Sequence, residues 1–503
     1  MELDYSRTGF TRQETAVRLL APARKKWLLP GGHAGTITTL GRNDRYRQHE
    51  ARMSGPINLE KLFHAILKPA LGCTEPVAVA LAVGSAVQAA GGWVVGQRDL
   101  PVSGLRAADI RDITVRVTPC IYKNAYAIPI PNAPGLKGIY ISAALGAFCN
   151  PLLELELFNQ VDDATVGQAR WLIDQGRVSV TVDENLPPVD LYIEAEVRFQ
   201  RGPDILAGGC RIQDRHTHIV RLLAGGRETY RDQPEATGNR SADADLETLH
   251  QMQFSEMVAL VADLPNPVVE LIRRTIALNM RVCEAGLIEP LGLGAGFHGA
   301  GGDTDDHVDL PHHVSSVAAA GSDARMSGFP LEVMSSAGSG NQGIIATIPV
   351  VAWSRSAGLP EDRLVQAVAL AHLVTMHITL HVGYLSALCG VAIKAGIGAA
   401  CGITYAMGGD VTDIGRAVKI MAATLSGMIC DGAKPGCALK VSSSADMATR
   451  AAQMAMKQME VSADDGIVAL TPEATIRNLA ELSRSMRAVD RKIIEIMDEK
   501  ARR

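Results

Sequence analysis

The sequence predicts an α+β fold: a mostly helical body with a small α+β unit inserted into it. Three observations carry this. Residues 189–199 alternate, with Leu191, Ile193, Ala195, Val197 and Phe199 on one face and Tyr192, Glu194, Glu196 and Arg198 on the other, the period-two signature of a half-buried strand. Residues 364–393 hold no Asp, Glu, Lys or Arg, a run suited to helix buried in protein. The composition supplies the third: of 503 residues only 4% are aromatic while 48 are glycine, so Ala, Val, Leu and Met must fill a core of closely approaching helices. With 49 basic and 54 acidic residues the formal charge is −5, without the basic surplus of a nucleic-acid binder.

Residues 1–52 carry ten Arg or Lys against five Asp or Glu and differ in texture from the rest. They read as a poorly ordered tail or a start assigned too early, with Met53 the natural first residue. No secretory signal appears, which with nine cysteines predicts a reducing, cytoplasmic setting. Residues 53–105 and 246–503 are expected to form the helical domain. Its pattern runs through 59–81, interrupted at Gly72-Cys73-Thr74-Glu75-Pro76, with a buried helix at 77–88. The inserted unit spans 106–245. It contains strands at 178–182, 189–199 and 210–223, a hairpin at 201–209, helices at 139–148 and 165–175, and a polar exit over 227–245. The 364–393 run meets the length criterion for a membrane span. Its three histidines and lack of tryptophan instead predict a helix or helix pair buried in protein, with no membrane partner. Thr471-Pro472-Glu473 is a helix start with N-cap, N1 proline and early acid. The stripe Ile476, Leu479, Leu482, Met486, Val489, Ile493, Ile496 then packs on the domain or, alternatively, forms a homodimer contact.

Cys430 and Cys437 are separated by six residues that include Gly432, Pro435 and Gly436, a spacing able to turn two sulfurs toward one point. Cys389 is a third candidate and Cys401 a weaker fourth; soft metal ligation and inert core cysteines both remain open. Gly338-Ser339-Gly340-Asn341-Gln342-Gly343 fits G-x-G-x-x-G, but Pro349 follows too soon for the long helix of a dinucleotide site. The loop suits a small anion instead. A pyridoxal-phosphate enzyme is disfavoured because no lysine occurs between Lys137 and Lys394. Asp303, Asp305, Asp306, His307, Asp309, His312 and His313 read as a solvated loop. His216 and His218 read as one face of a strand, more solvent-facing than ligating. Cys73, just before a helix start, is expected to have its thiol pKa lowered by the helix dipole and so to act as nucleophile or base; an inert buried cysteine is the alternative.

Six ordered blocks resemble the L-cysteine desulfidase family, which is related to the iron–sulfur L-serine dehydratases. They are Gly72-Cys73-Thr74-Glu75-Pro76, Tyr122-Lys123-Asn124-Ala125, Ser322-Asp323-Ala324-Arg325-Met326, Ser339-Gly340-Asn341-Gln342-Gly343, Leu385-Ser386-Ala387-Leu388-Cys389-Gly390 and the 430–437 segment. The resemblance implies a [4Fe–4S] cluster held by Cys389, Cys430 and Cys437, with the fourth iron open to the substrate. It implies that Cys73 takes the α-proton. Thr74, Glu75, Ser336, Ser339, Gly340 and Asn341 would then bind a small amino acid. The implied reaction is β-elimination from L-cysteine to sulfide, pyruvate and ammonia. L-Serine deamination is the alternative within the enzyme class, and a non-catalytic cluster sensor the alternative outside it.

Overall fold

The computed structural model describes residues 57–183, 191–232, 242–301 and 309–502. The 1–52 segment lies outside the described residues, as do Asp303, Asp305, Asp306 and His307. Helix accounts for 59% and strand for 14%, in mixed sheets, so the class is α+β with helix dominant. The strands, in chain order, are β1 (Leu67–Leu71), β2 (Ile110–Val117), β3 (Val178–Val182), β4 (Tyr192–Arg201), β5 (Asp204–Gln213), β6 (Ile219–Ala224), β7 (Arg227–Arg231) and β8 (Glu332–Ser336).

Strands β3-β2-β4-β5-β6-β7 form one sheet in that order, antiparallel except for β2 and β3. A parallel pair needs a crossover, supplied by helices Pro119–Ala125, Ile139–Gly146 and Asp163–Asp174. Alternation buries Ile113, Val115 and Val117 of β2 and Ile193, Ala195, Val197 and Phe199 of β4 in one core. On the open face Glu194 pairs with Arg116 and Arg211 from the flanking strands. The buried face packs against helix Thr74–Ala90, and contact is close because glycine lies beneath it. A Cβ at Gly208 would lie 1.9 Å from Ala86 O, and one at Gly146 would lie 2.3 Å from Ala80 O. This is the close approach that an aromatic-poor, glycine-rich composition allows.

Several expectations are corrected. The 210–223 run is two strands, β5 and β6, because residues 214–218 form a turn; the β4–β5 turn is confined to about 201–204. The polar exit begins with β7, which pairs with β6 through Arg221, Leu222 and Leu223. Residues 67–71 are not helix: β1 pairs with β8 antiparallel, so the chain leaves helix Leu59–Ile66 directly into a strand.

The larger core is helical and includes helices Asn266–Ile288, Leu310–Met326, Gly340–Ser356, Glu361–Val382 and Cys437–Met456. Glu361–Val382 is long and apolar enough to cross a membrane, yet 83% of its most apolar window is buried inside the protein. The helix ends at Gly383, whose φ of +103° breaks the run. After a loop the chain resumes as a π-helical turn at Val391–Gly396, where Lys394 closes the charge-free stretch. Thr471 caps helix Pro472–Ser485 by accepting from Ala474 N–H. The apolar stripe is divided at Met486. Ile476 and Leu479 are buried in the core, while helix Arg487–Ala501 docks on Pro119–Ala125. The docking bond is a buried ion pair, Lys123 Nζ to Asp490 Oδ1 at 2.5 Å.

Candidate active site

A single turn aims Cys73. Gly72 has φ of +77°, and a Cβ there would lie 2.6 Å from the Pro131 ring, so only glycine fits. Cys73 is the extended N-cap of helix Thr74–Ala90, and Pro76 falls in the first turn, where its missing N–H costs nothing. Arg325 holds the turn from the helical core: its guanidinium donates to Gly72 O at 3.0 Å and to Asn341 Oδ1 at 3.0 Å. That side chain therefore ties the Cys73 turn to the Ser339 loop.

Glu75 collects the polar atoms. Its Oε2 accepts from the Cys73 thiol at 3.0 Å and from Thr74 Oγ1 at 3.2 Å, and its Oε1 accepts from Asn124 Nδ2 at 3.0 Å. Burial raises the Glu75 pKa, but His216, the Cys73 thiol, its own backbone N–H and Arg325 together outweigh it, leaving the carboxyl below its ordinary value. For Cys73 the balance runs the other way. Burial, and then the adjacent carboxylate, push the thiol well above its ordinary value. The expected helix-dipole activation is therefore overturned: at rest the proton stays on Cys73 Sγ and points at Glu75.

Cys389 and Cys430 are drawn together by backbone. Cys389 N–H donates to Met428 O at 2.8 Å, Cys430 N–H donates to Ala387 O at 2.7 Å, and Leu388 bridges Ile429 between them. Cys437 opens helix Cys437–Met456. Burial raises the Cys389 thiol to about 12, with Cys430 and Cys437 adding to the rise, and Cys430 acts on Cys437 in the same sense. Cys437 packs against the small apolar cluster of Cys73, Ile128 and Met326, so the thiols neighbour the Cys73 turn. Asn124 spans the gap: its Nδ2 serves Glu75 while its Oδ1 lies 3.7 Å from Cys430 Sγ. Cys401 is a fully buried core residue on helix Ile397–Ala406.

Among the described residues no three His, Cys, Asp or Glu side chains close on a point suited to a single metal ion. An iron–sulfur cluster sets its thiolates further apart than one ion does and takes soft sulfur donors. Three free, mutually interacting thiols fit that group better than a lone cation.

The Ser336–Asn341 segment is a tight hairpin. Ser336 and Ser339 exchange backbone hydrogen bonds around Ala337 and Gly338, both with positive φ. Ser339 caps helix Gly340–Ser356, which runs through Pro349 instead of stopping there. A strand does precede this G-x-G-x-x-G and a 17-residue helix does follow it. What the motif lacks is a parallel βαβ unit, since β8 pairs only with antiparallel β1. Ser336 is fully buried, and its hydroxyl bonds to His372 Nδ1 at 2.9 Å. Thr347 spends its hydroxyl proton on Gly343 O, so it accepts from His372 Nε2 and leaves Nδ1 to accept from Ser336. The Ser336 proton is thus committed to scaffolding, which leaves half-buried Ser339 with buried Gly340 and Asn341 as the remainder of the predicted cradle.

Two site residues escaped sequence reasoning. Arg325 was read only as part of a motif, and its reach to Gly72 has no local signal. His216 was placed on a solvent-facing strand. It lies instead in the β5–β6 turn, 3% exposed, with Nε2 4.0 Å from Glu75 Oε1. His218 points away from the site and pairs with Asp232. His377 and His381 line a separate cavity of about 340 Å³ with His250. Asp309 is the N-cap of helix Leu310–Met326, and His312 and His313 lie in that helix's first turn instead of in a loop.

Residues 242–495 match the serine dehydratase alpha chain family. The chain is 37% identical over 459 residues to the UPF0597 protein GSU1527 of Geobacter sulfurreducens, covering 87% of this chain and 98% of that relative. It is 34% identical to a UPF0597 protein of Desulfatibacillum aliphaticivorans, covering 86% and 96%. It is 35% identical to the UPF0597 protein BF3560 of Bacteroides fragilis, covering 86% and 95%.

Proposed function

We propose a β-eliminating amino-acid lyase, on the premise that this chain belongs to the UPF0597 family and, over residues 242–495, to the serine dehydratase alpha chain family. One observation carries the reading: the Cys73 thiol faces the Glu75 carboxylate at 3.0 Å, beside Cys437 of a three-thiol set. The preferred substrate is L-cysteine. Breaking the Cα–H and Cβ–S bonds gives sulfide and 2-aminoacrylate, which water converts to pyruvate and ammonia. Held by Cys389, Cys430 and Cys437, a [4Fe–4S] cluster would supply Lewis acidity for the departing group.

The chain's own residues provide the proton path and the fit. Cys73 passes its proton to Glu75 Oε2, which it already faces, and the resulting thiolate takes the α-proton. Asn124 keeps Glu75 in place by holding Oε1. The helices beginning at Thr74, Gly340 and Cys437 direct the positive ends of their dipoles toward an anionic substrate group and prospective thiolates. All nine cysteines are free, in keeping with a reducing, cytoplasmic setting.

L-Serine, losing hydroxide from the same position, is the second reading, favoured by the serine dehydratase match. Anaerobic purification with iron and sulfide analysis, followed by sulfide and pyruvate assays on both amino acids, tests the proposal. Sulfide with pyruvate from L-cysteine supports the first reading, and pyruvate from L-serine alone supports the second. A protein without iron, or a cluster unchanged in the double variant Cys430→Ala, Cys437→Ala, overturns the assignment.

A further inference from the structure

His216 is buried to 3% exposure, yet neither ring nitrogen has a hydrogen-bond partner in the protein. A neutral imidazole carries one donor and one acceptor, and leaving both unmet in a dry site is costly. Burial lowers its pKa more than Glu75 raises it, and a ring N–H is available as a donor in either protonation state. The nearest charged group, Glu75 Oε1, lies at 4.0 Å, too far for a hydrogen bond. The other side of the ring lies against the hairpin, since a Cβ on Gly338 would be 2.7 Å from Nδ1. Gln342, in the first turn after that hairpin, also has a buried Oε1 without a partner. The unmet ring nitrogens of His216 therefore lie between the Glu75 carboxylate and the hairpin.

We infer that His216 is a substrate-binding residue. It donates a ring N–H to the carboxylate of an α-amino acid whose ammonium pairs with Glu75. The two charged groups of an α-amino acid sit on one carbon, so one molecule spans the imidazole and the carboxylate. This rests on the lyase reading above and adds a residue from the sheet unit that distinguishes a zwitterion from a simple amine. It also gives the β5–β6 turn a task, since Glu75 is an acceptor and the Cys73 thiol proton is already committed to it.

The test compares wild type, His216→Ala and His216→Gln, purified anaerobically with iron content and cluster absorbance recorded. Steady-state kinetics use L-cysteine and L-serine, with cysteamine, which lacks the carboxylate, as competitive inhibitor. In His216→Ala the KM for the amino acid should rise about ten- to a hundredfold. The cluster spectrum and the cysteamine inhibition constant should stay unchanged. His216→Gln, which retains an N–H donor, should recover part of the loss. An unchanged KM in His216→Ala overturns the inference and leaves the lyase reading intact. Parallel weakening of cysteamine and L-cysteine likewise overturns it, because that pattern marks general damage. If iron-loaded wild type turns over neither amino acid, the lyase reading falls and takes this inference with it.

Discussion

Cys73 and Glu75 share one proton across 3.0 Å, and burial decides where it rests. If the thiolate is the base, Cys73→Ala should cut turnover by about 10²–10⁴-fold, the usual worth of a positioned proton acceptor. Iron content should stay the same because Cys73 is not among the proposed ligands. Glu75→Gln removes both the acceptor for the thiol proton and the charged partner proposed for the substrate ammonium, so it should lower kcat in the same range and raise KM as well. Rapid-quench turnover beside iron analysis checks both, and full activity in either variant removes that residue from the proton path. His372 makes a separate prediction about stability. Burial holds its pKa near 3, against an ordinary value of about 6.5, because a second ring proton would displace the bond from Ser336. The unfolded chain takes up a proton below about 6.5 that the folded chain refuses until about 3. Stability is therefore full above that window and falls with acid through it, by about 1.4 kcal/mol per pH unit for this one group. His372→Gln should flatten the stability–pH curve by that slope, as read from urea unfolding between pH 7 and 4. An unchanged slope would mean that the ring titrates alike in both states.

At the level of elements, legibility followed periodicity. Alternation disclosed β3 and β4, and the Thr471-Pro472-Glu473 cap disclosed helix Pro472–Ser485, because both patterns are local. Strands β1 and β8 were missed because neither is amphipathic: each exists through its partner, 261 or more residues away in register. The turn at 214–218 was missed because apolar residues flank it and it contains no glycine or proline. The thiol set was readable from spacing and motif order. The burial of Cys73 was not, since the helix dipole is a local cue while desolvation is set by Ile128, Met326 and the 430–437 segment. Helix Arg487–Ala501 makes the clearest element-scale prediction. Its own buried residue is Asp490, paired with Lys123 whose ammonium also donates to Cys430 O at 2.6 Å. Burial alone would lower the Lys123 pKa, but Cys430, Cys120 and Asp490 raise it well above its ordinary value. Asp490→Ala leaves that cation unpaired and should cost about 3–5 kcal/mol. If the helix steadies the Cys430 loop, iron retention during gel filtration should fall as well. A normal denaturation midpoint would show that Lys123 finds another partner.

Two hydrophobic cores meet at the site, and each supplies part of it. Cys73, Glu75, Asn124 and His216 come from the side of the sheet; Arg325, Ser339, Asn341 and the three thiols come from the helical side. Arg325 is the principal polar tie across this boundary, reaching Gly72 O on one side and Asn341 on the other while 4% exposed. Further links are the β1–β8 pair, the Lys123 contacts, Asn124 to Cys430 and Asn159 to Glu332. Arg325→Met retains much of the side-chain volume but leaves Gly72 O and Asn341 Oδ1 unmet, a cost of about 1–3 kcal/mol for each buried acceptor. That cost falls on the junction and not on either core. Activity should therefore collapse while both cores keep their secondary structure. The cores can be followed separately, because Trp93 is buried in the sheet core and Trp353 in the helical one. In variants that keep only one of these two tryptophans, with Trp27 and Trp171 also replaced, the urea midpoints should coincide on the wild-type background. Adding Arg325→Met should separate them, the sheet core losing its native signal first because it has the smaller buried cluster and relies more on the shared boundary. Coincident midpoints in that background would mean that β1–β8 pairing and core contact alone keep the molecule cooperative, and that Arg325 acts only within the site.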